Sequence, residues 1–347
     1  YSDTPYSMGT GKPAGALSIV GEMSPDGERP VVTGSLALDN LNDAEADLYF
    51  EGITFDGGGS SSRIVDQTGG TTPLLHDIRF VNCGITGYKC GFFYDGNNDA
   101  VATLDTFSFD SCDIYDILGS GGDAFDVRKS IDIKTIEFRN CTMLDGVRTL
   151  FRIDANDNIK IGSILFENNT VKGVAVMNDG NNQGLFAIKK QTNMTLRKNL
   201  FLWEDGGITD DTDRAQLFRD NSAIVVPNLT ASDNYSYAHG KDFFTKVSAA
   251  DAGCAVMVSD PCYNSKGGFF QLAADDLIDK QVGASKWWIP YAEKAEDLTQ
   301  NIITGAHTWN LLDASLFAGE VKNSRVRDEL LLVGTEATPL NADGGIT

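Results

Sequence analysis

One eight-residue pattern recurs five times along the chain and constrains the fold more than any other feature. Positions one, three and eight are apolar, and position six is cysteine or asparagine. The first two apolar residues alternate as in a strand, and the jump of three residues to position six indicates a turn or bulge. The five copies are Ile78-Phe80-Cys83-Ile85, Phe107-Phe109-Cys112-Ile114, Ile136-Phe138-Cys141-Met143, Ile164-Phe166-Asn169-Val171 and Met194-Leu196-Asn199-Phe201.

The spacing of the copies predicts an all-β solenoid. A flanking copy at Ile53 and Phe55 and a degenerate copy from Leu229 to Asn234 extend the series, and successive third positions lie 25, 29, 29, 28, 30 and 35 residues apart. A strand-based period of this length favours a right-handed parallel β-helix with a C-terminal cap. Propeller blades need longer repeats, and a β-sandwich is the alternative. A second alternation lies between copies, at Phe92-Tyr94, Phe125-Val127, Phe151-Ile153, Phe186-Ile188 and Ile224-Val226.

Position six should face the inside of the solenoid. Equivalent residues of successive coils stack about 4.8 Å apart, so asparagines there can form a hydrogen-bonded ladder and cysteines can fill the core. Cys254 and Cys262 lie eight residues apart around a Ser-Asp-Pro turn and are candidates for a disulfide.

The repeat divides the chain into three parts. Residues 1–52 are predicted to form irregular first coils that shield the open end of the core. Residues 53–238 form the regular coils, and residues 239–347, with helical stretches between Leu272 and Leu298, form a C-terminal cap and tail.

The charge balance restricts the partners. The chain has 49 acidic and 28 basic residues, a formal charge of -21, which opposes binding to nucleic acid or to an anionic membrane surface. There is no transmembrane segment, because no apolar run reaches about 18 residues. The sequence also begins without an apolar leader, so we expect any signal peptide or lipid anchor to have been removed or to lie outside it.

The coils resemble a known superfamily. The repeated Phe-x-x-(Cys/Asn) motif, the Asn168-Asn169-Thr170 and Asn199-Leu200-Phe201 turns and the segment Arg148 to Arg152 resemble pectin-lyase-like β-helices, and within them the surface lipoproteins of Bacteroides-type glycan-utilisation systems. The resemblance covers residues 15–290, and the segment from Lys280 to Trp287 is similar to the end of such domains. It implies a secreted or cell-surface protein with a polysaccharide partner, acting as a lyase, a hydrolase or a glycan binder.

Two long loops, near residues 172–184 and 202–222, should emerge on one side of the solenoid, where elaborated loops often carry function. Their carboxylates and amides suit calcium, which takes six to eight oxygen ligands; a solvated acidic loop is the alternative. Trp203 could stack on a sugar ring or pack in the core. The candidate calcium ligands are Asp205, Asp210, Asp211 and Asp213.

Outward-facing cations form the second candidate site. Strand alternation turns Asp126 and Arg152 outward, followed by Arg128, Asp154 and Lys189. Lyases of the superfamily use a Lys or Arg to remove a proton beside a neutralised uronate, which implies a catalytic role for Lys189, Lys190 and Arg152. Arg197, Arg148 and Trp203 are then predicted to bind substrate. Charge pairing on an exposed sheet is the alternative.

These features leave three functions open. The first is a calcium-assisted lyase that cleaves a uronate-containing glycan by β-elimination. The second is a surface glycan-binding protein that delivers polysaccharide to an outer-membrane importer. The third is a structural accessory or adhesin. Hydrolysis has less support, because Gly122-Asp123-Ala-Phe-Asp126 only faintly resembles the paired aspartates of polygalacturonases, and the histidines His76, His239 and His307 are scattered.

Overall fold

The chain folds as the predicted right-handed parallel β-helix, with about six turns. A computed structural model describes residues 5–24, 28–69, 71–96, 101–118, 122–175, 184–203, 216–239, 242–265 and 269–288. Almost all strands pair in parallel with the equivalent strand of the next coil. Within the described residues the helices are α1 (Asp275–Asp279) and a 3-10 turn at Ser285–Trp287, and neither has the length and apolar character needed to cross a bilayer.

Each regular coil contributes one strand to each of three faces. The first face consists of β2 (Leu17–Val20), β4 (Asp47–Glu51), β7 (Asp77–Val81), β10 (Ala102–Asp110), β13 (Ile131–Arg139), β16 (Ile159–Glu167), β19 (Asn193–Arg197) and β21 (Asn228–Ser232). The second face consists of β5 (Thr54–Asp56), β8 (Gly84–Thr86), β11 (Asp113–Ile117), β14 (Thr142–Gly146), β17 (Thr170–Val174), β20 (Leu200–Leu202), β22 (Asn234–Tyr237) and β23 (Cys254–Met257). The third face consists of β6 (Arg63–Gln67), β9 (Gly91–Asp95), β12 (Phe125–Val127), β15 (Phe151–Ile153) and β18 (Phe186–Ile188).

The remaining strands lie at the ends of the solenoid. The long strand β3 (Val31–Ala37) pairs with β5 at its start and with β6 at its end, so it joins the second and third faces. β1 (Tyr6–Gly11) pairs with β3, and β24 (Cys262–Asn264) and β25 (Phe269–Leu272) form an antiparallel pair.

The predicted inward positions are confirmed. Phe80, Phe109, Phe138 and Phe166 are fully buried and form one column of rings, with centroids 4.9 Å apart between Phe80 and Phe109 and 4.5 Å apart between Phe109 and Phe138. The strands hold these rings in register, because Phe109 lies opposite both Phe80 and Phe138.

Position six forms the predicted internal ladder. Asn199 donates from Nδ2 to the carbonyl of Phe166 at 2.9 Å and to Oδ1 of Asn234 at 2.9 Å, and its own Oδ1 accepts from Asn169. In the earlier coils a cysteine makes the corresponding contact: Sγ of Cys112 lies 3.4 Å from the carbonyl of Phe80. Both side chains therefore satisfy the backbone carbonyl of the coil before them.

A left-handed residue makes the predicted turn. The residue before position six has a φ between 49° and 57° in six coils. Asparagine tolerates this conformation better than most side chains, and it supplies three of the six. The residues are Asn82, Ser111, Asn140, Asn168, Lys198 and Asp233.

The register corrects two expectations. Phe50, not Phe55, lies opposite Phe80, because Phe55 belongs to the second face and pairs with Ile85. Phe93, not Phe92, lies opposite Phe125.

On the last coil of the third face, Phe218 forms an isolated parallel β-bridge with Phe186. Ile224 and Val226, which the alternation assigned to this coil, lie outside the strands.

Cys254 and Cys262, the candidates for a disulfide, are both free thiols.

The last described segment of the chain, the strap (residues 282–288), lies across the second face. The backbone amide of Gly283 donates to the carbonyl of Lys198 at 2.7 Å, and Nε1 of Trp287 donates to Oγ1 of Thr142 at 2.9 Å. Lys286 reaches further along the axis and pairs with the buried Asp113. The strap therefore spans the coils from β11 to β20.

The ion pairs beneath the strap keep Asp113 charged. Burial alone would raise the pKa of Asp113, but Lys286 and Arg29, with Nη1 of Arg29 at 3.0 Å, outweigh burial and hold that pKa below its usual value. The strap is therefore anchored by charge as well as by the Trp287 ring.

Candidate functional site

The third face carries a dense group of charged side chains, which we call the third-face cluster. Its strands place one outward residue per coil in line, because Tyr94, Asp126, Arg152 and Ala187 are register partners. The predicted outward orientation of Asp126 and Arg152 is thus consistent with the register. The cluster consists of Arg63, Asp123, Asp126, Arg128, Arg148, Arg152, Asp154 and Lys189.

Asp126 lies at the centre of the cluster and is fully buried. Arg128 donates to it from Nε and Nη2, both at 2.7 Å, and Arg63 donates from Nη2 at 3.1 Å. The hydrogen bond to Asp126 is the largest cause that raises the pKa of Arg128. The guanidinium of Arg63 also lies over the Tyr94 ring, 4.7 Å from its centroid, which fixes its orientation.

Asp123 connects the centre to the exposed rim. Arg148 binds both of its carboxylate oxygens, at 2.9 and 3.1 Å, and Arg152 donates from Nη1 at 3.4 Å. The carboxylate is 4% exposed, whereas the side chains of Arg148 and Arg152 are 24% and 23% exposed. The arginines therefore cover the carboxylate and present their own surface to solvent.

Asp154 forms the edge of the cluster. Arg152 donates to its two oxygens at 3.2 and 3.1 Å, and Nζ of Lys189 lies 2.7 Å from Oδ1. Burial opposes ionisation of Asp154, but Arg152 and Lys189 outweigh it and lower its pKa. Lys189 is therefore ion-paired.

The cluster has more positive than negative groups. Five cations (Arg63, Arg128, Arg148, Arg152 and Lys189) meet three ion-paired carboxylates (Asp123, Asp126 and Asp154). Asp66, the register partner of Tyr94, also interacts with Arg63, which gives a formal charge of 5 - 4 = +1. This excess lies on a chain whose formal charge is -21. The arrangement favours an anionic ligand that accepts hydrogen bonds from guanidinium groups.

The other predicted site residues lie elsewhere. Nζ of Lys190 donates to the backbone carbonyls of Asn156 and Asp157. Arg197 belongs to β19 on the first face and pairs with Glu167 at 2.6 Å, so the structure does not place it beside Arg152 in one patch.

Trp203 is 3% exposed and packs against Phe243 at 4.6 Å. Its ring is therefore part of the core and presents no free face to a sugar. Asp205, Asp210, Asp211 and Asp213, the predicted calcium ligands, lie outside the described residues.

Two members of the cluster were not predicted from the sequence. Asp123 precedes β12, so the strand alternation says nothing about it. Arg63 lies on β6, two coils away from Asp126 on β12. The faint aspartate motif at residues 122–126 was the available signal for Asp123.

Comparisons with known proteins identify one similar family. Residues 12–146 match the model of a domain of unknown function, DUF4957. The match covers the strands from β2 to β14, and with them Arg63, Asp123, Asp126 and Arg128. No curated protein and no solved structure matched the chain.

Proposed function

We propose that this β-helix is an extracellular protein that binds an acidic polysaccharide, with the third-face cluster as its binding site. The observation that carries the proposal is the excess of cations over carboxylates in this cluster, three of whose arginines are partly exposed, on an otherwise acidic chain. The similarity to pectin-lyase-like glycan proteins supports the same partner class. An outer-membrane importer that receives the polysaccharide is part of this proposal.

The chemistry of the cluster fits carboxylate or sulfate groups. A guanidinium presents five N–H donors in a fixed plane and binds such groups through two parallel hydrogen bonds. Arg148 and Arg152 expose about a quarter of their side chains at the rim, while Asp123 and Asp154 fix the planes of their guanidinium groups. The site is therefore preorganised, which reduces the entropy lost when a ligand binds.

The dimensions of the cluster fit a polymer rather than a small anion. Strands of neighbouring coils are about 4.8 Å apart, so the cations from β12 to β18 extend over about 10 Å along the solenoid axis. A chain lying along this axis would place successive acidic groups near Arg128, Arg152 and Lys189 in turn.

The geometry favours binding over β-elimination. A lysine that acts as a general base must be a neutral amine that reaches the substrate proton. Nζ of Lys189 lies 2.7 Å from the Asp154 carboxylate, so it is already engaged in an ion pair. Lys190 is already engaged with two backbone carbonyls. The predicted catalytic role of these lysines and the predicted calcium ion remain hypotheses for the activity assay below.

Affinity electrophoresis in gels that contain pectate, alginate, a glycosaminoglycan or a neutral glucan tests the proposal. We expect retardation by at least one acidic polymer and none by the neutral glucan. Arg152→Ala should weaken binding roughly 10-fold or more, because one charge-assisted hydrogen bond is worth about 1.5–3 kcal/mol. Arg197→Ala, an ion-paired arginine on the first face, is the matched control and should bind normally.

The same polymers separate binding from cleavage. An increase in the ultraviolet absorbance of unsaturated product, lost on calcium chelation, would establish a lyase and overturn the assignment as a binding protein. Unchanged mobility in every acidic polymer would refute the binding site, and the ion pairs would then serve stability alone.

A further inference from the structure

We propose that Asp47, His76 and Asp77 form a binding site for one divalent transition-metal ion of the Zn²⁺ type on the first face of the solenoid. The side chains offer one imidazole nitrogen and two carboxylate oxygens, and these atoms lie within 4.8 Å of one another. This site is separate from the third-face cluster, so the proposal stands or falls independently of glycan binding.

The distances between the donor atoms fit a metal ion. Nδ1 of His76 is 2.9 Å from Oδ1 of Asp47 and 3.5 Å from Oδ2 of Asp77. In a tetrahedral site with bonds of 2.0–2.1 Å, neighbouring ligand atoms are about 3.3 Å apart. Small side-chain movements would therefore suffice to place an ion between the three groups.

The backbone holds the three residues in place from both sides. Asp47 and Asp77 are register partners on neighbouring strands β4 and β7. The amide of His76 donates to the carbonyl of Ala46 at 2.9 Å, and its carbonyl accepts from the amide of Asp105 at 2.8 Å. Metal ligands on such a rigid ladder are preorganised.

Asp77 provides an independent indication of a missing ligand. Its side chain is 1% exposed, and its Oδ1 is a buried acceptor without a hydrogen-bond partner. Burying such an acceptor unpaired costs about 1–3 kcal/mol. A cation that engages Oδ1 of this carboxylate would remove that cost, while Arg79, which donates to Oδ2, orients the group as a second-layer partner.

The donor set and the exposure of the site decide the class of ion. Imidazole nitrogen suits Zn²⁺ and its neighbours, whereas Ca²⁺ and Mg²⁺ prefer sites made of oxygen alone. The side chains of His76 and Asp47 are 42% and 49% exposed, so an ion can enter from solvent and water can complete its coordination. Bound metal would then link two consecutive coils.

Calorimetric titration of the full chain, after treatment with chelator, tests the site with Zn²⁺ as the probe. We expect one equivalent to bind, and Co²⁺ to give the visible bands of a tetrahedral complex without thiolate charge transfer. His76→Gln and Asp77→Asn should each weaken binding at least 10-fold. Asp132→Asn, an acidic position on the same face that pairs with Lys160, should bind within twofold of the parent chain.

Circular dichroism identifies any variant that does not fold. The side chain of His76 is partly exposed, so His76→Gln should fold and can still decide the question if Asp77→Asn unfolds. Absence of binding to the parent chain overturns the proposal. Binding that is equally strong in folded His76→Gln also overturns it, because the ion would then be held adventitiously elsewhere on an acidic surface.

Discussion

Replacing Asn199 by alanine should destabilise the solenoid more than its single side chain suggests. The Asn199 amide is fully buried and serves two neighbouring coils. It donates to the carbonyl of Phe166 at 2.9 Å and accepts from the backbone amide of Asn169 at 3.0 Å. Alanine leaves both backbone groups buried without a partner.

The magnitude follows from those two groups. Each buried unpaired group costs about 1–3 kcal/mol, so Asn199→Ala should lower the free energy of unfolding by roughly 2–6 kcal/mol. Asn199→Cys should lose less, because Sγ of Cys141 already reaches the carbonyl of Phe109, the residue equivalent to Phe166. A cysteine would thus restore the contact with the carbonyl and leave only the amide of Asn169 unpaired.

Urea unfolding followed by circular dichroism measures both variants. Asn228→Ala is the matched control: this exposed asparagine shares side-chain hydrogen bonds with Asn193 and Gln191 at the surface, so its loss should change stability by less than about 0.5 kcal/mol. A cost for Asn199→Ala no larger than that of the control would refute the view that the ladder satisfies the backbone.

Three further predictions concern the strap and the thiols. Trp287→Ala should weaken strap docking by about 3–5 kcal/mol and speed proteolysis at the strap; an unchanged cleavage rate would show that the strap is not held by this ring. The pKa of Asp113 is lowered in the folded state. Its ionised carboxylate therefore stabilises the fold above the ordinary carboxyl pKa of about 3.9, and this stabilisation is lost as pH falls through the lower pKa of the folded state. Asp113→Asn should therefore make the free energy of unfolding less dependent on pH in acid, and an unchanged dependence would contradict this. Burial raises the pKa of Cys254 to about 11, so a thiol reagent at neutral pH should leave this residue unmodified in the native protein. After denaturation the reagent should modify all six cysteines; modification of only four would reveal a disulfide between Cys254 and Cys262.

The residues that line the inside of the solenoid were predictable from sequence, because the apolar pattern that marks them involves only residues close together in the chain. Phe109 and Phe138 follow a period of two and recur at a constant interval, so pattern alone identifies them as core. The rule fails where adjacent residues are both buried: Phe92 and Phe93 are fully covered, and only the pairing of Phe93 with Phe125 decides which of them is in register. Alternation cannot make that choice.

The candidate site was predictable only in part, because charge pairing depends on which coils are neighbours. Alternation turned Asp126 and Arg152 outward, but it could not show that Arg63 reaches Asp126 from two coils away. It also grouped Arg197 with Arg152, because both point outward. The structure places them on different faces, since Arg197 follows the first-face strand pattern.

The register between β10 and β13 has a consequence for how such chains change in length. Thr106 pairs with Thr135, 29 residues later, and the pairing runs from Ala102 to Asp110 without a shift. A genetic deletion or duplication of 29 residues here would therefore remove or add one whole coil and rejoin strands that already match. Changes in length within these strands should therefore proceed in whole coils, because a shift of one residue there would turn core residues toward solvent.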